Sequence, residues 1–567
     1  MGMKTQRTMS RRSFLGLGAL ATAGAATAGL VGCAPQQKPS DADAAESTIG
    51  FDWLGEPEEI AESDIVETVE ADVVVVGGGN AGLFAAAAAA EEGARVVLLE
   101  KTPQVGANCR EWIGALGSSM QQEKGIEIDK NEVVEQLCFY ASHRCDQRLI
   151  RLWADHSGET VDWLDAVVRE QDPNAYVFVE TDTGNEDHGA YKTFAMQHNV
   201  QNDNEKLKSL DFVAKKVEEL GVDVRVSTEM KRLEREDGEG GRVTGVLAKS
   251  KEGFVRVNAS KGVIVATGGY CGNVDMMTAK NKMAVDHCTA LEAPGESNYG
   301  DGIRAALWAG AIMDEQPTVM VFDRGGVPAG AKGGSAYTQP GIMTHIGSQP
   351  FLKVNKDGER FCNESVPYDF VYAAGTLERD GVYCEIWDAN WVQQVEQFHT
   401  LACSRIIPSP TGGKVQIFNV ESEMGMMEET LIPAGVVVES DTLEGLAEKL
   451  QIPAKAFVES VERYNELCEK GVDEDFGKES YRMLPLDTPP FRAATIGGQL
   501  LCTLDGLRVN TSLQVLDENH DPIPGLYAAG NDSGGFFANN YPELLPGVAC
   551  GRTITFGRLA GKTVAGL

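Results

Sequence analysis

The chain has 567 residues, 43% of them hydrophobic and 24% charged, so it is long enough for two or more domains with a large buried core. Its formal net charge is −34, which argues against nucleic acid as a partner, because the phosphates would be repelled. The 63 glycines indicate many tight turns and close approaches between backbone segments.

Residues 1–33 are typical of an export signal with a lipobox. Arg11 and Arg12 lie in SRRSFLG, a near match to a twin-arginine signal, and a short, weakly apolar run rich in Ala, Gly and Leu follows. The stretch LVGC that ends at Cys33 resembles a bacterial lipobox. We therefore expect an extracytoplasmic protein that lipid on Cys33 anchors to the cell membrane. A soluble exported protein, cut elsewhere, is the open alternative.

The segment after the signal, residues 34–66, is acidic, contains scattered Pro, Gly and Ser, and is predicted to be a linker. The cysteines that follow Cys33 are scattered, without CxxCH or clustered CxxC spacing. We therefore expect no disulfide framework, no covalent haem and no iron–sulfur cluster. The histidines show no metal-binding spacing, so no metal site is predicted.

Residues 71–101, ADVVVVGGGNAGLFAAAAAAEEGARVVLLEK, predict a strand, a glycine turn, an alanine-rich helix and a second strand that ends at Glu100. This is the dinucleotide-binding fingerprint, in which glycines let the backbone approach a pyrophosphate and the acid binds a ribose. The fingerprint does not distinguish NAD from FAD. The cofactor-binding residues predicted from this unit are Gly77, Gly79, Asn80, Ala81, Gly82, Glu100 and Lys101.

Three more motifs follow the fingerprint in order: ATGGYCGN (266–273), YGDGIRAALWAGA (299–311) and PGLYAAGNDSGG (524–535). As a set, over roughly residues 70–567, they resemble the FAD-binding family of fumarate reductases, which includes L-aspartate oxidase and the 3-ketosteroid dehydrogenases. The resemblance implies FAD as cofactor. It also implies an α/β fold, in which a Rossmann-like FAD-binding domain is interrupted by an α+β cap domain.

The resemblance assigns residues 67–311 and 500–567 to the FAD-binding domain and residues 312–499 to the substrate cap domain. It implies contacts with adenine, with the ribityl chain and with the flavin ring. By match, these contacts come from Met230, Asn108, Gly530, Asn531, Gly547 and Val548. Asn531 stands where the family usually has glutamate, so its contact departs from the family pattern.

The groups with which a fumarate reductase grips two carboxylates are missing at four places. The family's HPT is QPT at Gln316, and its HTxGG is CTLDG at Cys502. Tyr368, in NESVPYDF, occupies the place of the acid arginine, and the arginine before the last helix is unmatched near Tyr541. A phenol cannot bind a carboxylate in the bidentate way of a guanidinium. We therefore predict that a C4-dicarboxylate is not the substrate.

Tyr368 and Tyr541 match, in part, the NESxxY and YPG segments of the ketosteroid dehydrogenase branch. The resemblance implies that reduced FAD delivers hydride to the β-carbon of an enoate or enone and that Tyr368 protonates the α-carbon. Tyr541 and backbone N–H groups near Gly547 would stabilise the enolate. Tyr368, Tyr541 and Gly547 are thus the predicted catalytic residues.

The source of electrons follows from the expected location. An exported flavoprotein without a visible nicotinamide site or haem must exchange electrons with another protein. We expect a membrane or exported cytochrome or quinol oxidase module as the donor, and an unsaturated small molecule as the substrate of a respiratory reductase. Two alternatives stay open: a 3-ketosteroid-type dehydrogenase and a non-catalytic flavin electron-carrier lipoprotein.

Overall fold

The structure is a computed structural model that describes residues 53–107, 109–180, 187–188, 191–203, 205–236, 240–292, 297–398, 400, 402–404, 406 and 419–566. The predicted signal with Cys33, the first part of the predicted linker and Asn108 lie outside the described residues. Within the described ranges, no helix combines the length and the apolar character needed to span a bilayer. All described residues belong to one unit, residues 52–567.

The secondary structure alternates strands and helices through most of the chain. The strands are β1 (Ile65–Val76), β2 (Val96–Leu99), β3 (Ile113–Gly114), β4 (Tyr176–Val179), β5 (Asp187–His188), β6 (Tyr191–Lys192), β7 (Gln197–Gln201), β8 (Lys206–Leu207), β9 (Asp223–Arg225), β10 (Glu229–Arg235), β11 (Val243–Lys249), β12 (Phe254–Val265), β13 (Cys288–Leu291), β14 (Val319–Val327), β15 (Ile342–Met343), β16 (Leu352–Val354), β17 (Tyr383–Trp387), β18 (Val437–Ser440), β19 (Phe491–Thr503), β20 (Gln514–Leu516) and β21 (Pro522–Ala528). The α-helices are α1 (Asn80–Glu91), α2 (Ser119–Glu123), α3 (Lys130–Tyr140), α4 (Gln147–Gln171), α5 (Ser209–Glu219), α6 (Val274–Lys280), α7 (Lys282–His287), α8 (Asp301–Trp308), α9 (Tyr368–Gly375), α10 (Trp391–Phe398), α11 (Val420–Met426), α12 (Leu443–Leu450), α13 (Ala454–Lys470) and α14 (Val548–Ala565).

The first sheet has the strand order β10-β11-β12-β1-β2-β9, and β21 pairs with the second half of β12. Strand β1 lies between β12 and β2 and is parallel to both. Its residues Val73–Val76 are buried, as is typical of a central strand in a parallel sheet. This burial explains why the sequence has a continuous run of valines here.

The second sheet is mainly antiparallel, has the order β15-β14-β19-β17-β16 and belongs to the cap. Strand β19 is its centre, since β13 and β18 also pair with it. Strand β13 precedes the predicted cap boundary at residue 312, and β19 crosses the one at residue 499. The two sheets together give the predicted α/β fold with a cap; the domain boundaries stay a prediction.

Helices α1 and α14 pack against each other in unusually close contact. Residues 81–89 of α1 are all buried, so this helix is apolar on every side. A Cβ atom at Gly557 would collide with the carbonyl oxygen of Ala81, and one at Gly561 with that of Ala85. These contacts run in the same direction along both helices, so the N-terminal ends of α1 and α14 lie at the same edge of the first sheet.

We expect Gly557→Ala to destabilise the holoprotein by about 1–3 kcal/mol, because the added methyl group forces two backbones apart. The measurement is the urea concentration at the midpoint of unfolding, with circular dichroism as the signal. Gly425→Ala in α11 is the matched control, since no described atom beyond its own helix lies within 4 Å of its Cβ position. The control should unfold at an equal or higher midpoint. Equal midpoints for Gly557→Ala and the unsubstituted protein would contradict the close contact.

Candidate active site

A cavity of about 420 Å³ lies where the N-terminal ends of α1 and α14 meet the cap strands β14 and β19. We name it the main cavity. One part of its wall is the glycine turn with Glu100 and Met230, and another is formed by Phe322 and Arg324 of β14. The wall therefore joins the predicted cofactor residues to residues of the cap.

The four glycines of the glycine turn differ in the space that a Cβ atom would have, and at Gly78 it would lie 2.7 Å from the side chain of Val105. Gly77 has a φ of +104°, and a Cβ there would collide with the carbonyl oxygen of Ala266. A Cβ at Gly82 would collide with the carbonyl oxygen of Gly77 itself. At Gly79 the nearest atom to a Cβ would be the sulfur of Cys109 at 3.4 Å, an ordinary contact. Gly79 thus leaves space on the cavity side, as close approach of a pyrophosphate demands.

The carboxylate of Glu100 is fixed at the end of β2. It accepts hydrogen bonds from the backbone N–H groups of Gly78 and Thr102, both at 2.7 Å. The neighbouring Lys101 forms an ion pair of 2.6 Å with Asp301 in the first turn of α8. Glu100 and Lys101 both line the main cavity, so the polar edge for a ribose is built before any ligand binds.

The N-terminal end of α14 also points at the main cavity. Gly547 is its N-cap, with a φ of +76°, and Ala549 and Cys550 of its first turn line the cavity. The free N–H groups and the positive end of an 18-residue helix stabilise negative charge at this place. Val548 is fully buried in the core and is not among the cavity-lining residues, so it supports the helix start from behind.

Gly530 and Asn531 line the main cavity beside α14. Arg552, fully buried on α14, donates from Nη1 to the carbonyl oxygen of Gly530 at 2.8 Å and from Nη2 to Oδ1 of Asn531 at 3.1 Å. Burial lowers the pKa of this guanidinium to about 10, which still leaves it charged at neutral pH. Arg552 therefore fixes the loop in which asparagine replaces the family's usual glutamate.

Asn80 and Ala81 begin α1 and complete the turn; both line the main cavity. The Asn80 amide donates to the carbonyl oxygen of Arg110 at 2.9 Å, which ties the turn to the loop before β3. The predicted cofactor residues that the structure describes thus line the main cavity, except Gly82 and Val548. Asn108 belongs to the same loop but lies outside the described residues.

The cap side of the main cavity carries an arginine that the sequence analysis missed. Arg324 is buried and donates from Nε to Ser348 at 2.7 Å and from Nη2 to the carbonyl oxygen of Cys403 at 2.6 Å. Its guanidinium lies 4.4 Å from the ring centroid of Phe322. No described residue accepts a hydrogen bond from its Nη1, and Arg324 lines the cavity. The signal in the sequence was a charged pair inside the apolar strand VMVFDRGGV.

A second cation, Arg110, reaches the same ring from the FAD-binding side. Its guanidinium lies 5.8 Å from the ring centroid of Phe322. It is already paired with Glu292 at 2.5 Å, and both partners line the main cavity. The paired charges cancel, so Arg324 is the cation of this wall that lacks a carboxylate partner among the described residues.

The two predicted catalytic tyrosines differ in their access to the main cavity. Tyr541 lines it and packs 5.9 Å from the ring of Phe537. Tyr368 is buried behind Phe322, with the two ring centroids 4.7 Å apart, and is not among the lining residues. Its hydroxyl group has no hydrogen-bond partner in the described part of the chain. Burial raises the pKa of both phenols well above 10, so both are protonated.

Four buried carboxyl groups surround the Arg324 region. Burial raises the pKa of Asp323 to about 6, and that of Glu423 and Glu543 to about 7. Burial, and then the nearby charge of Glu543, raise the pKa of Asp369 well above its usual value. Glu423 and Glu543 can therefore take up or release a proton near neutral pH, whereas Asp323 does so below it. The sequence pattern gave no sign of this cluster because its members are far apart along the chain.

Comparisons with known proteins agree with this geometry. A family model described as FAD binding domain matches residues 72–543. The chain is 30% identical to a vinyl phenol reductase of Lactiplantibacillus plantarum, over 83% of this chain and 92% of the relative. It is 29% identical to a digoxin reductase of Eggerthella lenta, over 99% and 98%. The fold is similar to the open conformation of a flavocytochrome c3 fumarate reductase, with a TM-score of 0.64, 23% identity, and coverage of 93% and 81%.

The residues that line the main cavity fit FAD. The pyrophosphate would lie at the glycine turn, where Gly79 leaves space for it, and the adenosine ribose would lie at Glu100. The flavin would lie between Asn531 and the start of α14. The substrate would then occupy the space toward Phe322, Arg324 and Tyr541.

We expect Gly79→Ala to weaken FAD binding without unfolding the protein, because the methyl group has room in the protein but projects toward the pyrophosphate. The measurement is the ratio of flavin to protein absorbance after gel filtration, with circular dichroism as the test of folding. Gly82→Ala is the contrasting variant and should lose both FAD and stability. Full FAD content in Gly79→Ala would contradict the placement of the pyrophosphate.

The buried carboxyl groups predict a pH dependence of stability. Both oxygens of Asp369 lack hydrogen-bond partners among the described residues, and its raised pKa means that the folded state holds the proton more tightly. Its stabilising effect is complete below the usual pKa of 3.8 and is lost as pH rises through the folded-state pKa. Asn cannot ionise. The melting temperature of Asp369→Asn minus that of the unsubstituted protein should therefore increase as pH rises.

The measurement is the melting temperature of both proteins from acid to mildly alkaline pH. The exposed Asp441 offers the control Asp441→Asn, for which the difference should stay constant with pH. A constant difference for Asp369→Asn as well would contradict the raised pKa.

Proposed function

The chain belongs to the FAD binding domain family, and on that premise we propose that it reduces an enoate or enone with at most one anionic group. It is an FAD-dependent oxidoreductase that acts on carbon–carbon double bonds. The proposal concerns the kind of acceptor, the direction of the reaction and the source of electrons.

The observation that carries the proposal is that, among the described residues, one cation on the substrate side lacks a carboxylate partner. Arg324 lines the main cavity and has no carboxylate partner among the described residues, whereas Arg110 is held by Glu292. Met320, Phe322 and Leu501 give this wall much apolar surface. One guanidinium can bind one carboxylate or carbonyl oxygen. A second carboxylate would lose its hydration here without gaining a partner, at a cost of several kcal/mol.

The residues of this chain prepare the acceptor for reduction. When bound, FAD supplies the hydride that adds to the electron-poor β-carbon. Arg324 binds the carbonyl or carboxylate oxygen and stabilises the negative charge that develops there. Tyr541, which lines the same space, assists with its phenol. The start of α14 stabilises negative charge on the cofactor side.

Tyr368 supplies the proton to the α-carbon in this proposal. Its hydroxyl group is held in a protonated state behind Phe322, so it keeps its proton until a carbanionic centre forms nearby. Access to the main cavity requires the ring of Phe322 to turn aside, which binding of a planar acceptor would cause. Within the described residues, the phenol makes no hydrogen bond that proton donation would have to break.

The names of two relatives support the direction of the reaction. Vinyl phenol reductase and digoxin reductase are both reductases, and the digoxin reductase aligns over nearly the whole of this chain. We also propose that the protein acts outside the cytoplasm, because of the signal-like residues 1–33, and that a separate cytochrome or quinol module supplies its electrons. Dehydrogenation of a ketosteroid-like compound is the alternative that the tyrosine pair favours.

The test is anaerobic. The holoprotein is reduced with a viologen dye and mixed with enoates, enones and a C4-dicarboxylate while flavin reoxidation is followed. Rapid reoxidation by an enoate or enone, with the saturated compound as product, is the expected result. Reduction of the oxidised protein by a saturated ketosteroid would favour the dehydrogenase, and no response to either would favour an electron carrier.

We expect Arg324→Met to lower kcat/KM for the accepted enoate or enone by about a hundredfold, since a buried group that stabilises developing charge is lost. The FAD content should not change, because Arg324 lies on the cap side. Arg148→Met on α4 is the control: its side chain is 78% exposed and lies outside the main cavity, so kcat/KM should be unchanged. Equal kcat/KM in Arg324→Met, Arg148→Met and the unsubstituted protein would contradict the proposal that Arg324 stabilises the developing charge.

Tyr368→Phe should slow reoxidation of the reduced protein by about a hundredfold or more, because the α-carbon loses its proton donor. Binding of the acceptor to the oxidised protein, measured as a change in flavin absorbance, should stay the same. Unaltered reoxidation would show that the proton comes from another group.

A further inference from the structure

Two loops meet on the cofactor side of the main cavity, each at the end of a strand of the first sheet. Strand β21 is parallel to β12 and pairs with it, so the loops that follow these strands lie at the same edge of the sheet. Thr267 and Gly268 follow β12 and line the main cavity. Gly530 and Asn531 follow β21 and line it as well. The next residue, Asp532, is fully buried and is not among the lining residues.

The carboxyl group of Asp532 joins the two loops. Its Oδ1 accepts a hydrogen bond from the hydroxyl group of Thr267 at 2.9 Å. Its Oδ2 accepts one from the backbone N–H of Gly268 at 2.7 Å. Because both donors follow β12 and the acceptor follows β21, this one side chain fixes the position of one cofactor loop relative to the other.

The same carboxyl group packs against the start of α8. The backbone N–H of Gly302 donates to the hydroxyl oxygen of Thr267 at 2.9 Å, and a Cβ atom at Gly302 would lie 2.4 Å from Oδ1 of Asp532. Asp301, in the same helical turn, pairs with Lys101 of the cavity wall at 2.6 Å. Three segments around the cofactor side of the main cavity therefore converge on Asp532.

The charge of Asp532 changes near neutral pH. Burial raises the pKa of this carboxyl group to about 7, although the hydrogen bonds from Gly268 and Thr267 lower it. The negative charge of Asp301 on α8 raises the pKa as well. Asp532 is therefore mainly neutral in mildly acidic solution and mainly ionised in mildly alkaline solution.

Other charged groups face this region from α8, α14 and the loop after β19. They are Lys101 paired with Asp301, Arg552 bound to Gly530 and Asn531, Asp505 bound to the hydroxyl group of Tyr270, and Asp314 paired with Arg508. In the part of the chain that the structure describes, none of these cations forms an ion pair with Asp532. The negative charge of ionised Asp532 is thus not neutralised by a direct partner.

We propose that Asp532 is a positioning residue for FAD, which holds the two cofactor loops together and whose negative charge lowers the reduction potential of the flavin. A buried carboxylate disfavours the extra negative charge of reduced flavin, because little water screens the interaction, whereas the neutral acid does not disfavour it. The proposal concerns the cofactor and not the acceptor, so it goes beyond the proposed function and does not depend on it.

Two variants separate the hydrogen bonds of Asp532 from its charge. Asp532→Asn keeps an acceptor oxygen but carries no charge at any pH, and Asp532→Ala keeps neither. We expect Asp532→Asn to retain FAD on gel filtration and Asp532→Ala to lose most of it, with circular dichroism as the test of folding. Full FAD content in Asp532→Ala would contradict the positioning role.

The charge is tested through the reduction potential, which a purely structural role would not make dependent on the ionisation of Asp532. The holoproteins are reduced stepwise without oxygen, beside a redox dye of known potential and without any acceptor, across pH. In mildly alkaline solution, the ratio of reduced to oxidised flavin at a given dye potential should be about tenfold higher in Asp532→Asn than in the unsubstituted protein. In mildly acidic solution the two ratios should agree.

Glu423→Gln is the matched control for the potential measurement. Glu423 on α11 is also a buried carboxyl group with a pKa raised to about 7, but it does not line the main cavity and belongs to the cap. Its variant should follow the unsubstituted protein at every pH. An equal pH-dependent shift in Glu423→Gln would overturn the role assigned to Asp532.

Thr267→Val gives a second test, which holds even if Asp532→Asn fails to retain FAD. It removes a hydroxyl group whose hydrogen bond lowers the pKa of Asp532. The change of slope that ionisation of Asp532 causes in the plot of potential against pH should therefore move to higher pH. An unmoved change of slope, or equal potentials for Asp532→Asn and the unsubstituted protein at every pH, would overturn the charge role. Because no acceptor is present, this failure is distinguishable from failure of the proposed function.

Discussion

The close packing of α14 on α1 is the constraint on which the site depends. Because Gly557 and Gly561 let the two helices approach through their backbones, both helices begin at the same edge of the first sheet. One N-terminal end then faces the place of a pyrophosphate, and the other faces the place of a flavin. A bulky residue at either glycine would separate two halves of the site that are almost the whole chain apart in sequence.

The charge on the cap side of the main cavity determines which substrates can bind there. Arg324 is buried in an apolar and aromatic wall, and no described carboxyl group forms an ion pair with it. Burial raises the pKa of Asp323 to about 6 and that of Glu543 to about 7. In the part of the chain that the structure describes, the site therefore has one cation without a carboxylate partner and nearby carboxyl groups that can carry a proton. Reduction of a double bond needs both, since charge develops on an oxygen while a proton is added to carbon.

The sequence predicted FAD as the cofactor, because the determinants of that prediction are local. The glycine turn, the strand before it and Glu100 lie within about one supersecondary unit, where spacing fixes geometry. The cap was harder. Arg324 was missed since its role depends on β14 turning that side chain toward Cys403, far along the chain. Tyr368 was identified by position, yet only the fold shows that Phe322 lies between it and the main cavity.

The most direct test of the account is a competition between acceptors. The viologen-reduced holoprotein is given equal amounts of an enoate or enone that it accepts and of a C4-dicarboxylate, and both saturated products are measured by mass spectrometry. The account predicts that the first acceptor is reduced and that nearly all of the dicarboxylate remains. Preferential reduction of the dicarboxylate would contradict a site with a single available cation.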